Sequence, residues 1–214
     1  MDAVIAILEI LSKVAEGTAL LASILFYSKY KHTALKFLPI LLGYMFLLEI
    51  FGWQLYNYVG FNALFYNVFN LCFYLFFFYV FYYFLHKRSN KKGVVILVGI
   101  FIISLIVDLI TFDFVHESLL YSYITGGCLI VICVILYFLE MLNSSRVLSL
   151  RQDLLFWMGI GLLLFYMGYI PVKITRLYFA SLQNTFMTLL IMHQVLIIIL
   201  YGCFTAGLLW KMKK

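Results

Sequence analysis

An all-α, polytopic membrane protein folded as a seven-transmembrane-helix bundle is the fold class this sequence predicts, on three observations. The first is composition: of 214 residues, 66% are hydrophobic and 11% charged, whereas a soluble domain averages roughly half and about a quarter. Mean hydropathy is +1.08, which excludes a water-soluble globular domain and intrinsic disorder alike. The second is pattern. The apolar residues form long continuous runs rather than the alternation of a transmembrane barrel, and lipid offers backbone groups no partner outside a helix or closed barrel. The third is length. At about 20 residues per span, seven spans use roughly 140 residues, so residues 1–214 read as a single transmembrane domain with no room for a soluble catalytic, nucleotide-binding or DNA-binding domain.

The seven runs follow one another with short connections. The first covers residues 3–26 and carries three charges, Glu9, Lys13 and Glu16. It lacks a basic leading region and is expected to stay attached rather than be cleaved as a signal peptide. The second covers 37–58, with Pro39 in its first turn. The third, 61–85, is unusually aromatic from Phe65 to Phe84, which reads as packing rather than a cofactor box. The fourth covers 94–112 and the fifth 119–142, where Gly126 and Gly127 favour a close helix crossing. The sixth, 154–170, is expected to end before Pro171, and the seventh runs over 185–210. No internal repeat is visible, which weighs against a transporter made of two homologous halves.

Positive charge sets the expected orientation. The first connection carries Lys29, Lys31 and Lys36. The third is a basic loop of Lys87, Arg88, Lys91 and Lys92, the fifth holds Arg146 and Arg151, and the tail holds Lys211, Lys213 and Lys214. The second connection, at Gly60, has no charge, and the fourth carries Asp113, His116 and Glu117. Only Lys173 and Arg176, in the sixth connection, depart from the pattern. The positive-inside rule therefore places the N-terminus outside, and the C-terminus and the Lys87–Lys92 loop in the cytoplasm. The same rule accounts for the net charge of +6 without nucleic acid, and no nucleic-acid partner is predicted.

Ionisable and amide side chains inside spans usually face a bundle interior and mark functional sites. On the first helix, Glu9, Lys13 and Glu16 share a face at spacings of four and three, which predicts a buried ion pair. Glu49, Trp53 and Asn57 make a stripe at four-residue steps along the second helix. Asn62 and Tyr66 open the third, with Asn70 on the same face. Asp108 lies near the end of the fourth, and His193 with Gln194 in the outer half of the seventh. Taken together, Glu49, Trp53, Asn57, Asn62, Tyr66, Asp108, His193 and Gln194 predict an outward-facing polar pocket for a ligand. The competing bland reading of each is an interhelical hydrogen bond. Glu140, near the inner end of the fifth helix, is expected to face Arg146 or Arg151.

Missing chemical groups exclude several functions. The seventh run has no lysine to carry retinal, and the chain lacks HxxxH, HExxH, GxSxG and Walker motifs. No metal or other cofactor is predicted, and no catalytic residue is assigned. Cys72, Cys128, Cys133 and Cys203 all lie in apolar runs with no CxxC pair, so they read as buried packing residues rather than disulfides or zinc ligands.

The stretches LPILLGYMFLLEIFGW (residues 38–53), NALFYNVFN (62–70) and DLLFWMGIGLLLFYMG (153–168) resemble a group of uncharacterised small seven-helix integral membrane proteins of Bacteroidota-type bacteria. The resemblance covers most of the chain through loose motifs, implies a sensor of the bacterial inner membrane, and carries over no catalytic residue. The expected function is a receptor-like signalling module in the bilayer, working through a membrane or cytoplasmic partner protein or a second copy of itself. The alternatives are a small-solute or proton-coupled transporter or pore and, last, an intramembrane lipid-modifying enzyme.

Overall fold

The computed structural model describes residues 2–144, 152–179 and 183–210. Among them are seven α-helices and no strand: α1 (Asp2–Leu25), α2 (Leu38–Val59), α3 (Ala63–Phe84), α4 (Arg88–Thr111), α5 (Leu120–Leu142), α6 (Leu154–Phe179) and α7 (Gln183–Trp210). Six helices are long and apolar enough to cross a membrane. In α1 the charges at Glu9, Lys13 and Glu16 interrupt the apolar run, although 24 residues at about 1.5 Å each exceed a hydrocarbon core of about 30 Å.

Two boundaries differ from the sequence expectation for a physical reason. Hydropathy starts the fourth helix at residue 94, yet α4 begins at Arg88. The segment bearing Arg88, Lys91 and Lys92 is therefore helix rather than loop, with Lys87 at its N-cap. The sixth helix does not stop before Pro171 but runs to Phe179, so Lys173 and Arg176 lie on a helix and not in a connection. Proline removes one intrahelical donor without dictating an end, and the Pro171 carbonyl accepts from the Thr175 hydroxyl at 2.8 Å. Arg146, Arg151 and the lysines of the tail lie outside the described residues.

The chain divides into two compact units, residues 1–26 with 149–214, and residues 27–148. In the first unit α7 packs on both α1 and α6. Small residues let α6 and α7 approach: a Cβ at Gly161 would fall 2.9 Å from the Cβ of Cys203 and 3.1 Å from the Leu200 carbonyl oxygen. The inward stripe of α1 is made of Ser12, Glu16, Ala19, Ala22 and Ser23, all buried. The Ser12 and Ser23 hydroxyls donate back to the carbonyls of Glu9 and Leu20, so these polar groups are satisfied within their own helix.

The second unit is organised around α3, which packs on α2, α4 and α5, while α4 and α5 also pack on each other. The aromatic run forms its core. Phe77, Phe78 and Phe81 are almost wholly buried, with rings of Phe73 and Phe77 4.7 Å apart and Phe101 of α4 5.3 Å from Tyr74. Gly126 gives the close crossing its sequence context indicates, since a Cβ there would meet Tyr74 at 2.8 Å. Tyr74 then donates its hydroxyl to the Tyr123 carbonyl at 2.9 Å, which fixes α3 against α5 with no polar atom of that ring left over. Of the cysteines, Cys133 is buried and Cys203 half-buried, but Cys72 and Cys128 are exposed; for those two the packing role is corrected.

Candidate functional site

The polar residues of the second unit gather at the ends of its helices, where the sequence leaves backbone groups without intrahelical partners. One end, called here the acidic end, holds the Gly60 turn and the 112–119 connection. Gly60 terminates α2 at φ 84°, the left-handed conformation glycine adopts without a Cβ clash, and its N–H donates to the Tyr56 carbonyl at 2.8 Å. The two turns meet: Leu64 N–H donates to the Val115 carbonyl at 3.2 Å, and the Phe61 ring lies 5.2 Å from the His116 ring, edge to face.

Asp108 organises this end. It is completely buried, and its carboxylate accepts from the N–H groups of Tyr121 at 3.0 Å and Ser122 at 2.6 Å. These are orphan donors in the first turn of α5, and a carboxylate there is also favoured by the helix dipole. Asn67, five residues past Asn62 and not among the predicted ligand residues, completes the clamp. Its amide donates to the carbonyls of Phe114 at 2.9 Å and Glu117 at 2.8 Å, and its oxygen accepts from Leu119 N–H at 3.2 Å. The run NALFYN offers two asparagines, and only the register of α3 decides which one is buried.

The basic end repeats the device with the partners exchanged. Glu140, near the C-terminus of α5, accepts from the backbone N–H groups of His86 and Lys87 and from the Asn90 amide at 2.8 Å, and His86 Nδ1 lies 3.4 Å away. The expectation that it faces Arg146 or Arg151 falls outside the described residues; its described partners are His86 and Lys87 on the α3–α4 connection and Asn90 in the first turn of α4. Four cations at Lys87, Arg88, Lys91 and Lys92 oppose the positive end of the α4 dipole, and the Glu140 carboxylate compensates that at the first turn. Lys91 rests its ammonium 5.1 Å above the Tyr82 ring. A cleft of about 260 Å³ beside Glu140 is lined by Phe84, His86, Tyr137 and Ser144 among others.

The predicted ligand residues distribute as follows. Glu49, Trp53, Asn57, Asn62, Tyr66 and Asp108 lie in the second unit, His193 and Gln194 in the first. Trp53 is 75% exposed and packs on Tyr56, and Asn57 is exposed beside Tyr58, an arrangement typical of residues anchored at a membrane–water interface. Glu49 is half-buried. Asn62 stands at the N-cap of α3 without a side-chain cap bond, and the Tyr66 hydroxyl lies 3.1 Å from where a Gly52 Cβ would be. In the first unit the His193 ring stacks on Tyr169 at 4.4 Å, and the amide oxygen of half-buried Gln194 is enclosed without a hydrogen bond.

On α1 the three charges separate. Glu16 is 3% exposed, whereas Glu9 and Lys13 are exposed, and among the described residues no ion pair joins Lys13 to either carboxylate. Lys13 lies about 100° around the helix from Ser12 and about 60° from Glu16, on the exposed side of α1. Among the described residues His86 pairs with Glu140, and His116 with Asp113 at 2.8 Å. Hydrogen bonds from His116 and from the Val115 N–H hold the exposed Asp113 carboxyl below its ordinary range. Among the described residues no group of three or more His, Cys, Asp or Glu is placed to hold a metal ion.

No family model, curated protein or solved structure matches this chain.

Proposed function

We propose that the chain is a receptor-like signalling module of a bacterial inner membrane, spanning it seven times with its N-terminus outside and C-terminus in the cytoplasm, and acting through a partner protein. The observation that carries this reading is the α4–α5 pair. Each helix supplies a carboxylate to the amide terminus of the other, Asp108 to α5 and Glu140 to the start of α4. Helices tied at both ends resist sliding: a shift of one residue, about 1.5 Å, breaks bonds at both ends together. Such a pair moves as one body, and it carries acidic and amide groups at one end and the basic cluster Lys87–Lys92 at the other.

On this reading a ligand engages the outer end, around Asn57, Asn62, Tyr66 and the Asp113–His116 turn, with Glu49 beneath them. It shifts the balance between two packings of the helices by its difference in affinity for the two. The basic end presents the change to an acidic surface of a cytoplasmic or membrane partner. Purification in mild detergent from the native host, with mass spectrometry of co-eluting proteins, tests this directly. A stoichiometric partner that is lost when Lys87, Arg88, Lys91 and Lys92 are changed to glutamine supports it. Recovery of the chain alone at native expression counts against it. Orientation is read separately by a membrane-impermeant thiol reagent on intact cells: Ser118→Cys is labelled and Ser89→Cys is not, whereas the reverse pattern overturns the topology.

Proton-coupled transport is the second reading, favoured by one feature: Glu16 is a carboxylate buried on the packed face of α1. Solute or proton flux in proteoliposomes that Glu16→Gln abolishes would transfer the weight to it.

A further inference from the structure

We propose that the cleft between α2 and α3 is a binding site for one anionic phospholipid, with an acyl chain lying in the cleft and the headgroup phosphate held at Lys36. The inference is independent of the signalling reading. The cleft has a volume of about 440 Å³ and is lined by Phe37 at the N-cap of α2, by Ile40, Leu41 and Tyr44 on α2, and on α3 by residues from Val68 to Tyr79. That size falls within the range of small-molecule sites, about 300–1,000 Å³.

Three properties select the occupant. The lining is almost wholly apolar. Tyr44, its inner polar side chain, already donates its hydroxyl to the Phe65 carbonyl at 3.1 Å, so a polar solute would give up its own hydrogen bonds without replacement. The length is that of one leaflet. From Val68 to Tyr79 at about 1.5 Å per residue is roughly 16 Å, close to half of a hydrocarbon core of about 30 Å. The charge lies at the mouth. Lys36 holds its ammonium 4.8 Å over the ring of Phe37, which itself lines the cleft, so an occupant with its tail among the α3 aromatics meets a cation where its headgroup emerges.

The turn bearing Lys36 is itself fixed, which makes the cation a built feature rather than a mobile one. Tyr30 is 1% exposed and Ala34 and Leu35 are buried. The Thr33 hydroxyl caps the 34–37 turn by accepting from Leu35 N–H at 3.3 Å. Lys31, exposed on the same connection, adds a second positive charge at this surface. Each lysine near a membrane surface favours anionic lipid by an increment equivalent to about fivefold in affinity.

The test uses the full chain, purified in an uncharged detergent, titrated with phosphatidylglycerol or phosphatidylcholine and read by native mass spectrometry. The expected result is one tightly retained lipid per chain with preference for phosphatidylglycerol. Lys36→Gln, at an exposed position that leaves folding unchanged, lowers that preference about fivefold. Val68→Trp fills the cleft and removes the retained lipid whatever its headgroup, with helix content by circular dichroism confirming that the variant is folded. A second readout does not depend on that variant: in a Cys128→Ser background, phosphatidylglycerol slows alkylation of Cys72, which lines the cleft, by an apolar maleimide. Absence of a stoichiometric lipid on the wild type, an unchanged headgroup preference in Lys36→Gln, or equal alkylation of Cys72 with and without phosphatidylglycerol each overturns the proposal.

Discussion

Replacing Asp108 by alanine removes the acceptor of two backbone donors, the buried Ser122 N–H and the part-buried Tyr121 N–H. A buried donor left unsatisfied costs about 1–3 kcal/mol, and loss of an N-cap acceptor alone costs about 0.5–2 kcal/mol. These two figures overlap in what they count, so the expected destabilisation is about 2–4 kcal/mol rather than their sum. With roughly 2–4 °C per kcal/mol for a chain of this size, the midpoint of thermal unfolding in detergent falls by roughly 4–16 °C. Asp108→Asn keeps one acceptor oxygen and loses the charge, so its shift is smaller. Asn67→Ala loosens the same turn by freeing Leu119 N–H, so the double variant with Asp108→Ala falls short of additivity. An unfolding midpoint for Asp108→Ala within about 2 °C of wild type would refute the reasoning, because the buried Ser122 amide cannot lose its acceptor at no cost. The result also separates the two roles open to Asp108, since a ligand-binding carboxylate lowers affinity when neutralised and leaves the unfolding midpoint in place.

The other expectations are these. Glu140→Ala uncaps the start of α4, and amide exchange at residues 86–90 quickens roughly 5–30-fold for a loss of about 1–2 kcal/mol; unchanged protection there contradicts the capping role. Gly161→Ala places a methyl 2.9 Å from the Cys203 Cβ and 3.1 Å from a backbone oxygen, and overpacking of this kind costs about 1–3 kcal/mol. Gly202→Ala, with nothing within 4 Å, is the neutral control, and equal unfolding midpoints for the two defeat the packing account. Asp113 is held below its ordinary carboxyl value chiefly by the His116 hydrogen bond. A depressed carboxyl contributes its stabilisation above the unfolded value and loses it as pH falls through the folded one, so the turn loosens only in acid, below about pH 4. His116→Ala brings the Asp113 midpoint up toward its ordinary value in a carboxyl NMR titration, and a midpoint that does not move removes His116 as the cause.

Hydropathy alone made the helices legible, because a span must be apolar for its whole length and nothing else in this composition competes. It failed at residues 88–93 and 171–179 for one reason: it marks where a helix enters lipid, not where its hydrogen bonding ends. The cations of the first segment and Pro171 in the second are compatible with continued helix, and only the caps reveal it. The polar residues were harder. Asp108 was visible as an acid near a helix end, but its partners are backbone amides of α5, which have no signature in side-chain sequence. Asn67 and Asn62 are five residues apart and chemically identical, and their different fates rest on which face of α3 meets α5. The spacing of Glu9, Lys13 and Glu16 predicts one broad face, of which the structure buries Glu16 and leaves Glu9 and Lys13 exposed. A face some 100° wide has an edge, however, and Lys13 falls beyond it.

The distance along the chain between the carboxylates and the amides they receive has a consequence for how the protein is made. Glu140 lies 54 residues after His86, so the start of α4 leaves the ribosome well before its acceptor exists. Asp108, by contrast, precedes Tyr121 by 13 residues and is waiting when α5 emerges. During synthesis the first amides of α4, next to four cations, are therefore left to water until Glu140 is made. The capping of α4 is thus complete only once α5 has been made to its last turn, whereas the acceptor for α5 is in place before that helix begins.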